Sequence, residues 1–204
     1  MIADQALYQQ CERAGMLLRP PAANQLLVRV TSGKTVVRLA KWLAGQGYHL
    51  VTLVGTDERE LVDNCFKLTY LFAHPTEDLL LFVEHPVEGD RYLSIYGQYR
   101  AADPFERELV DMLGLYPRLK KVRRLTEGAW LHDCYPPQLL PLRRDRAPTE
   151  TIERIERHVG EEGAAGIDRP PDGEWLLPVG PVHAGVIEPG GFLFRLAGEV
   201  VEEL

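Results

Sequence analysis

Four groups of side chains in this 204-residue sequence have types and spacing that could do chemistry. Glu106-Arg107-Glu108, with Asp111 three residues on, places three carboxylates within two helical turns. Paired carboxylates can serve as acid and base, but the arginine between them favours ion pairing. Gly33-Lys34-Thr35 follows an apolar stretch, as in a phosphate loop. That motif needs a glycine five residues before Gly33, and Val28 stands there, so the amide cradle is missing. His132-Asp133-Cys134 holds the residue types of a cysteine hydrolase. Neighbours on an extended chain point apart, however, and cannot form a proton relay by themselves. His49, His74, His85, His158 and His183 show no metal-ligand spacing. Cys11, Cys65 and Cys134 lie far apart without a Cys-x-x-Cys. This excludes an iron–sulfur or zinc site of the usual spacing and fits a reducing compartment.

The carboxylate group lies in a segment written as a helix, Asp103 to Gly114. Asp103 is a good N-cap, Pro104 fits the first turn and Glu106 stands three residues after the cap. Phe105, Leu109, Met112 and Leu113 recur at helical spacing, which leaves Glu106, Arg107, Glu108 and Asp111 on the remaining positions. Gly114 is placed to end the helix.

The segments before it supply the rest of a fold. Residues 4–13 read as a helix, 26–30 as a strand, and Ser32 as the cap of a helix ending at Gly45 or Gly47. Strands follow at 48–54, 65–72, 79–83 and 92–96, with the turn at 75–78 making a hairpin of the middle pair. The pattern predicts an α+β fold, a mixed β-sheet covered by helices on one face, with an extended C-terminal arm and tail.

Residues 118–146 are the arm. Arg118, Lys120, Lys121, Arg123, Arg124, Arg143, Arg144 and Arg146 outnumber the acids there, and Pro117, Pro136, Pro137 and Pro141 keep it extended. The first domain thus spans 1–146. Residues 147–174 read as a linker holding one short helix at 152–159, and 175–204 as a separate apolar tail.

The composition is that of a globular chain, 45% hydrophobic and 26% charged, with a net charge of −7. That charge argues against nucleic acid or an anionic membrane as a direct partner. No apolar run approaches the roughly 20 residues that span a bilayer, so direct membrane insertion is not expected.

Beyond the helix the sequence continues with Arg123-Arg124-Leu125 and then Pro141-Leu142-Arg143-Arg144-Asp145. The ordered series resembles the 30 kDa subunit of respiratory complex I (NADH dehydrogenase) and its relatives in membrane-bound nickel–iron hydrogenases of the formate hydrogenlyase type. That family runs Glu-Arg-Glu, two residues, Asp, an apolar pair and Gly, then Asp-Leu-Arg-Arg-Leu, and closes on Pro-Leu-Arg-Lys-Asp. The matching residues are Glu106, Arg107, Glu108, Asp111, Gly114, Arg123, Arg124, Leu125, Pro141, Leu142, Arg143 and Asp145. Lys120-Lys121-Val122 replaces the family's His-Pro-Asp, and Arg144 replaces its lysine.

The tail at 175–204 resembles the start of the large subunit of the same complexes, with His183 in its Gly-Pro-x-His loop. Complex I carries a second histidine there, at its quinone site; Ile187 occupies that position, as in the hydrogenase version. In the formate hydrogenlyase type the two parts are fused in this order. The resemblance leaves open whether this chain is a cut fusion or a natural split.

The resemblance implies an oxidoreductase subunit of the peripheral arm, cytoplasmic and held on the inner face of the cell membrane through the complex. Its partners would be the large subunit and adjacent iron–sulfur subunits. It implies no catalytic, cofactor or metal residue in the chain itself, the motif residues and His183 serving as interface. Clamping of the arm's arginines by Glu106, Glu108 and Asp111 is the expected device. The alternative is a free-standing small enzyme or nucleotide-binding protein.

Overall fold

The computed structural model describes residues 5–18, 22, 24–61, 64–118, 135–136, 138–162, 173–179 and 192–203. The chain divides into two compact units, Met1–Gly163 and Ala164–Leu204.

The first unit opens with α1 (Gln5–Ala14), β1 (Met16–Leu18), β2 (Gln25–Arg29) and α2 (Gly33–Gly45). It continues through β3 (His49–Asp57), β4 (Phe66–Ala73) and β5 (Leu80–Val87). The five strands form one sheet in the order β1-β2-β5-β4-β3. Strands β2 and β5 run parallel, from Gln25↔Leu80 to Arg29↔Glu84, and the other pairs are antiparallel. The sheet is therefore mixed, as the sequence predicts.

Alternation along β4 and β5 sets the buried face, because successive side chains point to opposite sides of a strand. Leu68, Tyr70, Phe72, Leu81 and Val83 are buried. Helix α2 adds Val36, Leu39, Ala40 and Leu43 to that layer, and α1 adds Leu7 and Cys11. On the alternate positions charges form a chain: Lys67 lies 2.6 Å from Glu58 and 3.6 Å from Glu84, and Glu84 lies 3.1 Å from Arg29.

Several boundaries differ from the sequence reading. Strand β5 continues through Pro86, which pairs with Lys67 beyond the last residue of β2, where the sheet has no parallel neighbour to need its missing N–H. The strand expected at 92–96 is only β6 (Arg91–Leu93); it pairs in parallel with β7 (Tyr116–Arg118) as a separate small sheet. The linker helix, α4 (Pro148–Glu162), is longer than 152–159 and starts where Thr151 N–H and hydroxyl both bond Ala147 O.

Helix α3 (Ala102–Leu113) lies between β6 and β7 in sequence and packs on β3. The approach is close. A methyl group at Gly55 would lie 2.4 Å from Leu109 and 2.7 Å from Leu113, so glycine is what lets helix and strand meet.

The second unit is a three-stranded antiparallel sheet of β8 (Glu174–Val179), β9 (Phe192–Ala197) and β10 (Val200–Glu203), in the order β10-β9-β8. Trp175, Leu177, Phe192, Val200 and Val201 are exposed on it.

Candidate functional site

Helix α3 begins two residues earlier than the sequence predicts. Ala101 occupies the cap position with no side-chain cap bond, and Asp103 sits inside the first turn. There Asp103 pairs with Arg107 at 3.1 Å, one turn on. The C-terminus agrees with the prediction: Gly114 is left-handed, with φ 69, and its N–H bonds Val110 O.

The buried stripe of α3 is Ala102, Glu106, Leu109 and Leu113. Glu106 is thus a core residue, whereas the sequence reading places it off the apolar face of the helix. Its side chain is held by donors from the loop after β6. Ser94 hydroxyl donates to Oε2 at 2.7 Å, and Ile95 N–H donates to Oε1 at 3.1 Å. Burial pushes the carboxyl up to about 7 against the pull of those two bonds, with Asp103 adding to the rise. Tyr70 and Tyr92 hydroxyls are buried without a hydrogen-bond partner among the described residues. Burial and the nearby Glu106 charge raise both phenols.

The segment Pro141–Asp145 returns to this helix. Leu142 N–H donates to Met112 O at 3.1 Å and Arg143 Nε to Leu113 O at 2.9 Å, so the last carbonyls of α3 gain partners. Leu139 and Leu140 anchor the approach by burial. Arg143 also lies over the Phe66 ring, 5.3 Å from its centre, beside Arg59 at 4.6 Å.

Arg59 is the hub. Its Nη2 lies 2.6 Å and its Nε 2.9 Å from the two oxygens of Asp57, and Asp145 stands 3.0 Å away on another edge. Asp57 is buried at the end of β3 and also accepts from Arg144 N–H at 3.0 Å. Arg59's bonds hold the Asp57 carboxyl well below the usual range in spite of burial, with help from the Arg144 amide. Asp57 and then Asp145 raise the guanidinium in return, and Arg59 lowers Asp145.

The sequence reading expects arginines of the arm held by acids of α3; among the described residues of the arm, Arg143 bonds a helix carbonyl and Asp145 pairs with Arg59 of the domain. Arg123, Arg124, Leu125 and His183 lie outside the described residues, as do His132, Asp133 and Cys134. Glu108 and Asp111 are half-buried on α3, and Pro141 and Leu142 are half-buried and exposed respectively. Asp57, Arg59 and Ser94 are absent from the sequence-based set. The signal for two of them is Asp57-Glu58-Arg59 directly after a strand, a charged turn at the end of the sheet.

The chemistry available is electrostatic positioning. Among the described residues no group of three or more His, Cys, Asp or Glu is placed to hold a metal ion. Ser32 stands at the N-terminus of α2 without a side-chain cap bond. His85 packs nearby, its Nδ1 2.8 Å from Val30 O, and burial lowers its basicity.

The sequence profile of the family "respiratory-chain NADH dehydrogenase, 30 Kd subunit" matches residues 28–151, from β2 into α4. The chain belongs to that family. The match takes in α3, Gly114, the Asp57–Arg59 turn and the Pro141–Asp145 segment, so the whole site lies inside the 30 Kd subunit domain. Formate hydrogenlyase subunit 5 of Escherichia coli (strain K12) is 34% identical over 166 residues, covering 76% of this chain and 27% of that protein. Hydrogenase-4 component G of the same organism is 32% identical over 155 residues, covering 74% and 27%. The chain therefore spans about a quarter of the length of either relative. A chain of the membrane-bound sulfane sulfur reductase, an archaeal respiratory membrane complex, has the same fold at 16% identity. Its TM-score is 0.59, over 82% of this chain and 96% of that one. Among the described residues no helix is long and apolar enough to cross a membrane.

Proposed function

We propose that this member of the 30 Kd subunit family is a non-catalytic structural subunit of a membrane-bound hydrogenase or complex I-like oxidoreductase. Its role is to dock the large subunit beside the iron–sulfur subunits so that their centres stay within electron-transfer distance. It associates peripherally with the membrane, through the complex. The observation that carries this reading is the fixed return of Pro141–Asp145 onto the domain. Those residues spend their polar groups on α3 and Arg59, which orders a segment with little apolar content of its own. An ordered, charged segment beside a helix end is a recognition surface prepared before the partner arrives, which reduces the entropy lost on binding. The likeness to formate hydrogenlyase subunit 5 and hydrogenase-4 component G supports the hydrogenase side of the reading.

The tail at 175–204 is proposed as the portion equivalent to the start of the large subunit. Its three-stranded sheet exposes Trp175, Val200 and Val201, a surface suited to further protein. The test is purification of the tagged chain from gently solubilised membranes of its source, with the co-eluting subunits identified by mass spectrometry. A large subunit and iron–sulfur subunits in equal amounts are expected. Elution of the chain by itself contradicts the proposal.

A further inference from the structure

Beside the Arg59 cluster lies an open cleft of about 310 Å³. Phe66 and Val87 give it apolar lining, and Arg59, Arg143, Asn64 and Asp90 give it polar lining. Both arginines lie over Phe66, but they differ in what remains to be bonded. Arg59 has spent its fork: Nε and Nη2 go to Asp57, and Nη1 to Asp145. Arg143 has spent only Nε, on Leu113 O. Its Nη1 and Nη2 have no hydrogen-bond or ion-pair partner among the described residues. A guanidinium fixed at Nε and stacked on a ring presents that remaining edge as a pre-set pair of donors, the geometry that a carboxylate accepts bidentately.

We infer that the cleft seats a carboxylate carried by the partner large subunit, an Asp or Glu side chain held by Nη1 and Nη2 of Arg143. This rests on the docking reading above and adds the contact that makes it specific. The surrounding charge selects the ligand class. Asp90, paired with Arg91 at 3.8 Å, lines the cleft, and Asp57 and Asp145 occupy Arg59, so Arg143 is the lining arginine with donors left to offer. A single negative charge matches the single unspent fork. The volume is at the small end for ligand pockets, which suits one side chain whose stem lies on Phe66 and Val87.

The experiment measures the affinity of the full chain for its co-produced large subunit, with the wild type, Arg143→Gln, Arg143→Lys and Asp90→Asn, and the thermal unfolding of each. Arg143→Gln should weaken binding by about tenfold or more, and Arg143→Lys, which keeps charge without the fork, should recover only part. Asp90→Asn removes a repelling charge from a side chain that is 56% exposed, and should tighten binding about threefold with unfolding unchanged. The opposite signs keep the test decisive should Arg143→Gln fail to fold. Unchanged affinity in Asp90→Asn, or equal binding by Arg143→Gln and wild type, overturns the carboxylate seat and leaves docking standing. A wild-type chain that does not bind overturns docking, and this inference with it.

Discussion

Arg59 and Asp145 meet at 3.0 Å although 86 residues separate them in sequence. Through that contact the closing residues of the family's last motif are tied to the end of β3. Asp57 shares the same guanidinium from inside the fold. One arginine thus links a buried carboxylate, which it must neutralise, to a half-exposed one, which it positions.

The two acids should contribute unequally. Asp57→Asn leaves a half-buried guanidinium without its main counter-ion, and chemical denaturation should show a loss of about 2 kcal/mol, less than for a fully buried pair. Asp145 is 48% exposed in its side chain, and Asp145→Asn should cost under about 1 kcal/mol. Equal losses would mean that the burial of Asp57 has no energetic weight.

The same pair sets an acid limit. The folded Asp57 carboxyl lies below its ordinary value, near 3.9 for a free aspartate. Its stabilisation is therefore fully present above about pH 4 and is lost as pH falls below it. Thermal unfolding of the wild type should drop steeply below pH 4, and Asp57→Asn should show a shallower drop. Parallel curves for the two proteins would contradict this assignment.

Glu106 acts in the opposite direction. Its folded carboxyl is raised from 4.5 to about 7, so the folded state holds the proton that the unfolded state has released between those values. Stability from this group is greatest below about pH 4.5 and declines until pH 7, by on the order of 3 kcal/mol. Glu106→Gln keeps the size and an acceptor but cannot ionise. It should flatten the stability curve between pH 4.5 and 7, and a wild-type slope that survives the substitution would move the titration elsewhere.

Two glycines should tolerate no side chain cheaply. Gly114→Ala places a methyl group at φ 69, where an L-residue costs about 1–2 kcal/mol, and 3.3 Å from Leu140. Gly55→Ala pushes α3 from β3 and should cost about 1–3 kcal/mol. Thermal melts within a degree of wild type for both would show that the helix end and the helix–strand approach are looser than described.

The elements were legible because alternation and helical spacing are local signals. Strand β4 carries its period in Phe66, Leu68, Tyr70 and Phe72, and Gly114 marks its helix end without help from the fold. What the sequence hides depends on tertiary partners. Glu106 reads as one of three acids available to the arm's arginines until Ser94 and Ile95 are seen to supply its donors from another segment. Arg59 reads as a turn charge until Asp145 arrives 86 residues later. Pro141–Asp145 is recognisable as a motif, but its sequence does not tell that Arg143 would bond a helix carbonyl and leave its outer edge unspent.

The claim that this chain is a docking subunit is tested most directly by mixing it with the hydrogenase-type large subunit and measuring the mass of the product by sedimentation velocity. A single species containing one copy of each polypeptide is the predicted result. Two separate boundaries at the masses of the unbound chains, at concentrations well above micromolar, would contradict it.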